Sequence, residues 1–119
     1  MNRTRFVEHQ GKKILHVDFS GCDKTTLAPA VEEAKTAIKL LPAASALLFT
    51  DVTNTEMSRQ TSALIKDFSS HNTPFVAASA VAGVTGLKKL IYNTVMGLTG
   101  RSIALFDTIE QAKDWLVAQ

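Results

Sequence analysis

Ala46-Leu47-Leu48-Phe49-Thr50-Asp51-Val52-Thr53-Asn54-Thr55 is an apolar run that stops at an acid and then breaks into small hydroxyl and amide side chains. From Ser45 to Val52 the apolar residues are continuous instead of alternating, as expected of a strand covered on both faces. The stretch therefore points to an α/β fold. It also points to a place for a site, because ligands in open α/β sheets gather outside the carboxyl ends of strands. Asp51, Thr53, Asn54 and Thr55 fall at such an end.

Upstream, residues 3 to 9 and 13 to 19 are β-rich, and Gln10-Gly11-Lys12 between them supplies the glycine of a tight reversal. In the second strand Leu15, Val17 and Phe19 alternate with Ile14, His16 and Asp18. One face is apolar and the other mixed, so His16 and Asp18 are expected to look outward. Residues 20 to 24 form a loop, after which Thr25 or Thr26 caps a helix running to about Leu41, where Pro42 stops it. Leu27, Val31, Ala34, Ile38 and Leu41 make its apolar stripe.

Downstream, a second helix runs from Met57 or Ser58 to about Ser70, with Leu64, Ile65 and Phe68 inward, and ends at Asn72-Thr73-Pro74. Residues 75 to 84 form a strand of small apolar side chains against which helices can pack closely. Gly83-Val84-Thr85-Gly86 turns the chain into a third helix carrying Leu87, Leu90, Ile91, Val95 and Leu98. Residues 102 to 106 form the last strand. Asp107 or Thr108 then caps a final helix with Ile109, Ala112 and Leu116 inward and Trp115 beside them. The order is ββαβαβαβα, which predicts a single mixed sheet with an N-terminal hairpin and helices packed against it, one domain over residues 1–119. Strands joined through helices pair in parallel with right-handed crossovers.

Composition narrows the function classes. With 119 residues, 45% hydrophobic and 20% charged, the chain has the profile of a globular domain. A net charge of +2 with no clustered basic stripe gives no nucleic-acid footprint. Cys22 is the single cysteine, which excludes an intrachain disulfide and a multi-thiolate metal site. No apolar run approaches the ~20 residues of a membrane span, and the first residues lack the apolar core of a signal peptide. A cytoplasmic protein that does not span the membrane is expected.

Several stretches together resemble the STAS superfamily of sulfate-transporter and anti-sigma-factor-antagonist domains, in its SpoIIAA-like branch. They are Arg5-Phe6-Val7-Glu8-His9 through Asp18-Phe19-Ser20-Gly21, the strand ending Thr50-Asp51-Val52-Thr53, the run from Ala78 to Leu87, and Phe106-Asp107-Thr108 with Trp115-Leu116. The resemblance covers nearly the whole chain. In typical anti-sigma antagonists the strand-to-helix loop reads Asp-Ser-Ser-Gly, and phosphorylation of a serine in it switches binding to a partner kinase. Asp51 takes the place of the acid, Val52 replaces one serine, Thr53 sits at the other and Asn54 replaces the glycine. The resemblance thus implies a regulatory module that binds a protein partner through the loop from Asp51 to Glu56. It places a phosphorylatable hydroxyl at Thr53, near a helix expected to begin around Glu56. The plainer reading is that Thr53 and Asn54 end a strand and cap a helix.

Two further candidates follow from the residues. Gly83, Thr85, Gly86 and Lys88 lie where glycines and a helix start can hold an anion, or where they simply allow a tight turn. Tyr92 and Met96, four apart, form a second ridge on the third helix, which suits a homodimer mate, a partner protein or an acyl chain, or merely broadens the core. The SpoIIAA-like branch is also similar in layout to SEC14-type lipid-binding domains. That resemblance, with the small residues of the 75–84 strand leaving room beneath the third helix, implies an alternative function as a carrier of a lipid or other small apolar ligand. His9, His16 and Asp18 are the residues a zinc ion would use if the hairpin brought them together, but no ligand spacing recurs. No catalytic residues, cofactor or metal are expected.

Overall fold

The computed structural model describes residues 3–84 and 103–119. In chain order the elements are β1 (Thr4–His9), β2 (Lys12–Asp18), α1 (Lys24–Ile38), β3 (Ala46–Asp51), α2 (Arg59–Asn72), a 3₁₀ turn (Thr73–Phe75), β4 (Val76–Ala82), β5 (Ala104–Phe106) and α3 (Ile109–Val117). The helix expected over 87–98 lies outside the described residues.

The hairpin forms because Gln10 (φ 50°) and Gly11 (φ 81°) are both left-handed, the two-residue turn whose twist matches that of the flanking strands. It sets His9 opposite Lys12 and Thr4 opposite Val17. The sheet then runs β1-β2-β3-β4-β5, antiparallel at the first pair and parallel thereafter. β3 is its middle strand. That position explains the unbroken apolar run, since each face of β3 meets a different core.

On one face Leu48 packs with Leu15, Val17, Phe19 and Val81, under Leu27, Val31 and Ile38 of α1 and Ile65 and Phe68 of α2. On the other, Phe49 packs with Ile14, Ala80 and Ala82 under Ala112 and Leu116 of α3. Right-handed crossovers that step across the sheet in one direction leave α1 and α2 on the same side. α3 follows the last strand and closes the opposite side. The alanines of β4 that face it allow the close approach their size suggests.

Local capping differs from expectation in detail. α1 is capped by Asp23, whose Oδ1 accepts the N–H groups of Thr25 (2.9 Å) and Thr26 (3.0 Å), while Thr26 Oγ1 accepts the N–H of Asp23 (3.0 Å). These hydrogen bonds hold the exposed Asp23 carboxyl below the usual carboxylate range. The helix ends at Ile38 with Lys39 as its cap, earlier than Leu41, and Leu40 is left exposed. Ser58 and Thr61 make a similar reciprocal cap for α2, and Thr108 caps α3. Ile109, expected inward, is 39% exposed, because the inward stripe of this short helix is carried by Ala112 and Leu116. Cys22 is buried in the first core.

His16 is a larger correction. It was expected to face outward, yet it is 6% exposed, because α3 covers that face of the hairpin strand. Its ring meets Phe49 edge-on with centroids 4.9 Å apart, and its Nδ1 has no hydrogen-bond partner among the described residues. Burial, helped by the positive charges of Lys113 and Arg5 and opposed by Asp18 and Asp51, lowers its pKa from 6.5 to about 4. The native state therefore holds His16 neutral where the unfolded chain takes up a proton. The contribution is intact above pH 6.5 and is lost as the pH falls from 6.5 towards 4. In urea unfolding at pH 7 and pH 4.5, the wild type should lose about 2 kcal/mol more than His16→Phe, which keeps a ring against Phe49 but cannot titrate. Parallel losses in the two proteins would show that His16 is not held neutral by burial.

Candidate functional site

β2 and β3 pair so that Asp18 stands opposite Asp51 at their carboxyl ends. Each strand then leaves the sheet through the same turn. Asp18 Oδ1 accepts the N–H (2.9 Å) and the hydroxyl (2.5 Å) of Ser20. Asp51 Oδ1 accepts the N–H (3.0 Å) and the hydroxyl (2.6 Å) of Thr53. The next residue in each turn is left-handed, Gly21 at φ 68° and Asn54 at φ 58°. Glycine reaches that region freely, and asparagine is among the few other residues that do so readily.

The two turns are tied to each other and to the end of β4. Phe19 N–H donates to the Asp51 carbonyl (2.8 Å), Gly21 N–H to that of Thr53 (2.9 Å) and Val52 N–H to that of Ala82 (3.0 Å). Thr55 Oγ1 donates to the Phe19 carbonyl (2.7 Å) and Glu56 N–H to that of Cys22 (2.8 Å). Arg3 reaches the carbonyls of Asp18 and Ser20, both at 3.2 Å. Gly83 closes the group. At φ +93°, it lies so near Thr53 that a Cβ would stand 2.3 Å from Thr53 Oγ1 and 2.6 Å from its backbone nitrogen. Three strand ends thus form one rim.

Partial burial pushes the Asp18 carboxyl up, but the hydroxyl and N–H of Ser20, with Arg3 and His16, outweigh it and hold the group below its ordinary value. Asp18 and Asp51 are therefore built into their turns as acceptors. What the rim offers to solvent is Gly21, Thr53, Asn54 and the carboxylate-bearing Glu56, all exposed.

The predicted loop residues separate accordingly. Asp51 is 8% exposed, lying behind Thr53 instead of at the surface, and Thr55 is fully buried because its hydroxyl bonds across to β2. Glu56 lies outside α2, which starts at Arg59 behind its own Ser58 cap, so the helix expected to begin near Glu56 starts later. Gly83, placed by its sequence in a separate anion site, instead packs on Thr53. Thr85, Gly86, Lys88, Tyr92 and Met96 lie outside the described residues. His9 and His16 sit at different places along the hairpin, opposite Lys12 and Arg5, and do not form a joint site with Asp18. Ser20 and Gly21 were missed. The signal was present, since Asp-Phe-Ser-Gly and Asp-Val-Thr-Asn follow the two adjacent strands with the same order of acid, hydroxyl and left-handed residue.

Neither a family model nor a curated protein sequence matches the chain. Among solved structures, an uncharacterized DUF3478-family protein from Shewanella loihica PV-4, described as having a SpoIIAA-like fold, matches with a TM-score of 0.64. The match spans 95% of this chain and 91% of that one at 17% identity. The chain has a SpoIIAA-like fold. In this SpoIIAA-like fold the rim lies at the β3-to-α2 turn, where the sequence resemblance places the Asp-Ser-Ser-Gly loop. No helix among the described residues is long and apolar enough to cross a membrane.

The crowding at Gly83 can be measured against a glycine with the same backbone handedness and open space. Gly11 has φ +81° and nothing within 4 Å of a Cβ. Gly11→Ala should cost about 1 kcal/mol in urea unfolding, and Gly83→Ala about 2 to 4 kcal/mol, since there a methyl also meets backbone atoms of Thr53. Equal losses would mean that contact with Thr53 does not hold the rim together.

Proposed function

We propose that the chain is a non-enzymatic interaction module that binds a protein partner through the Asp51 to Glu56 rim, with Thr53 as the residue whose phosphorylation controls binding. The observation that carries this reading is the Thr53 hydroxyl on an exposed residue, donated to Asp51 Oδ1 at 2.6 Å. Transfer of a phosphoryl group from a nucleoside triphosphate, held by a partner kinase, forms an Oγ1–P bond. The hydroxyl proton leaves, and nucleoside diphosphate is released. Asp51 then loses the hydroxyl donor, keeping only the Thr53 N–H, and gains a neighbour carrying about −1.5 to −2 charges. Gly83 blocks retreat on one side, so the turn must open outward.

The carrier alternative drew on the small side chains of β4. Ala80 and Ala82 pack against Ala112 and Leu116 of α3, and the helix beneath which the ligand was expected lies outside the described residues. The interaction reading is preferred because its loop is built of described residues, with an exposed hydroxyl at Thr53.

Immobilised wild type, Thr53→Ala and Thr53→Glu proteins, each incubated with lysate from the source cells, test it. A partner retained by wild type and Thr53→Ala should bind Thr53→Glu at least tenfold more weakly, about 1.4 kcal/mol. Equal retention by all three would remove Thr53 as a switch.

A further inference from the structure

His9, the last residue of β1, lies at the end of the hairpin away from the rim, and its ring reaches across to α3. Its Nε2 is 2.7 Å from Asp114 Oδ1, although the two residues are 105 positions apart in sequence. Glu110 joins them, and one ligand atom from each of the three lies within 4.8 Å of the others. Glu110 and Asp114 are four residues apart on α3, so their carboxylates share one helix face. Two like charges at that spacing repel each other, and a cation placed between them relieves the repulsion. The neighbouring Gln10 donates its amide N–H to Asp114 Oδ1 at 2.8 Å, a contact that orients a carboxylate ligand from outside.

We propose that His9, Glu110 and Asp114 bind a divalent transition-metal cation of the zinc type. Such an ion sits about 2.0 to 2.2 Å from imidazole nitrogen and carboxylate oxygen, so its ligand atoms stand roughly 3 to 3.5 Å apart. Ligand atoms already within 4.8 Å of one another need to close by little more than about 1 Å, with the ion replacing the direct contact between His9 and Asp114. One imidazole with two carboxylates suits zinc and its first-row neighbours better than calcium, which takes oxygen ligands in larger number. Three protein ligands leave at least one position for water. Asp114 also lines a shallow surface depression together with Leu105, Phe106, Asp107 and Gln111. The expectation of no metal rested on the single cysteine and on the spacing of the histidines, whereas two of these ligands are carboxylates of the last helix.

Titration of the full chain with zinc chloride in a calorimeter, and with cobalt(II) chloride in a spectrophotometer, tests the site. One ion per chain should bind the wild type, with cobalt giving visible ligand-field bands. His9→Ala and Asp114→Asn should each weaken zinc binding at least tenfold and abolish those bands, while His71→Ala, in the last turn of α2, leaves both unchanged. The exposed Glu110→Gln, which leaves the His9 and Asp114 pair in place, should weaken binding as well and serves if either of the others unfolds. Absence of binding by the wild type at millimolar zinc, or equal binding by wild type and His9→Ala, would overturn the assignment.

Discussion

The hydrogen bond from Phe19 N–H to the Asp51 carbonyl continues the β2–β3 ladder beyond the last residue of each strand. A central strand that leaves a sheet abandons backbone groups in a half-buried place, and each must find a partner. Here the backbone supplies part of the answer through Phe19, Gly21, Val52 and Glu56, and side chains supply the rest through Asp18, Asp51 and Thr55. The rim is therefore specified by the need to satisfy strand ends before any partner is considered. Its rigidity follows from the same bonds, and so does its economy. Most of its polar groups face inward, leaving Thr53, Asn54 and Glu56 to meet solvent.

Among the described residues the two faces of the sheet are covered unequally, and that asymmetry bears on the chemistry of each. α1 and α2 bury a face of branched and aromatic residues, steadied at their exposed sides by the ion pair of Lys35 with Asp67. α3 is nine residues long and lies against alanines, so a modest helix can seal the other face by approaching closely. Lys113 of α3 spans the ring of Phe49 at 5.7 Å to its centroid, bringing a positive charge over the sheet beside His16. The charge adds to the burial penalty on an imidazolium there. A histidine in this position behaves as an aromatic core residue.

Much of the fold was legible because its signals are local. The continuous run over β3, the glycine of the hairpin turn, and the apolar stripes of α1 and α2 each follow from neighbours within a few positions. His16 was misplaced because alternation along one strand reports polarity, while its burial depends on a helix that arrives after the last strand. Thr55 was misplaced for a related reason, since a hydroxyl that bonds to a carbonyl on another strand looks like any loop threonine in sequence. The rim was half legible. Asp51 and Thr53 stand out at the end of an apolar run, but their likeness to Asp18 and Ser20 becomes meaningful only once the register sets the two acids side by side.

The departures of this rim from Asp-Ser-Ser-Gly can now be weighed by conformation instead of by identity. Val52 is 3% exposed and belongs to the first core, so an apolar side chain is the natural occupant of a position whose side chain points inward. A serine in the same place would need a buried hydrogen-bond partner for its hydroxyl. Asn54 replaces a glycine at φ 58°, a region asparagine tolerates with little penalty, so the path of the turn is kept. Thr53 retains the hydroxyl, and its bond to Asp51 is duplicated at Ser20 and Asp18, where Asp-Phe-Ser-Gly keeps both the serine and the glycine. A turn that tolerates two different sequences on neighbouring strands is governed by its acid, its hydroxyl and its left-handed residue. By that measure the turns after β2 and β3 are two copies of one local structure, and the residue between acid and hydroxyl, Phe19 in one and Val52 in the other, is in both cases buried in the first core.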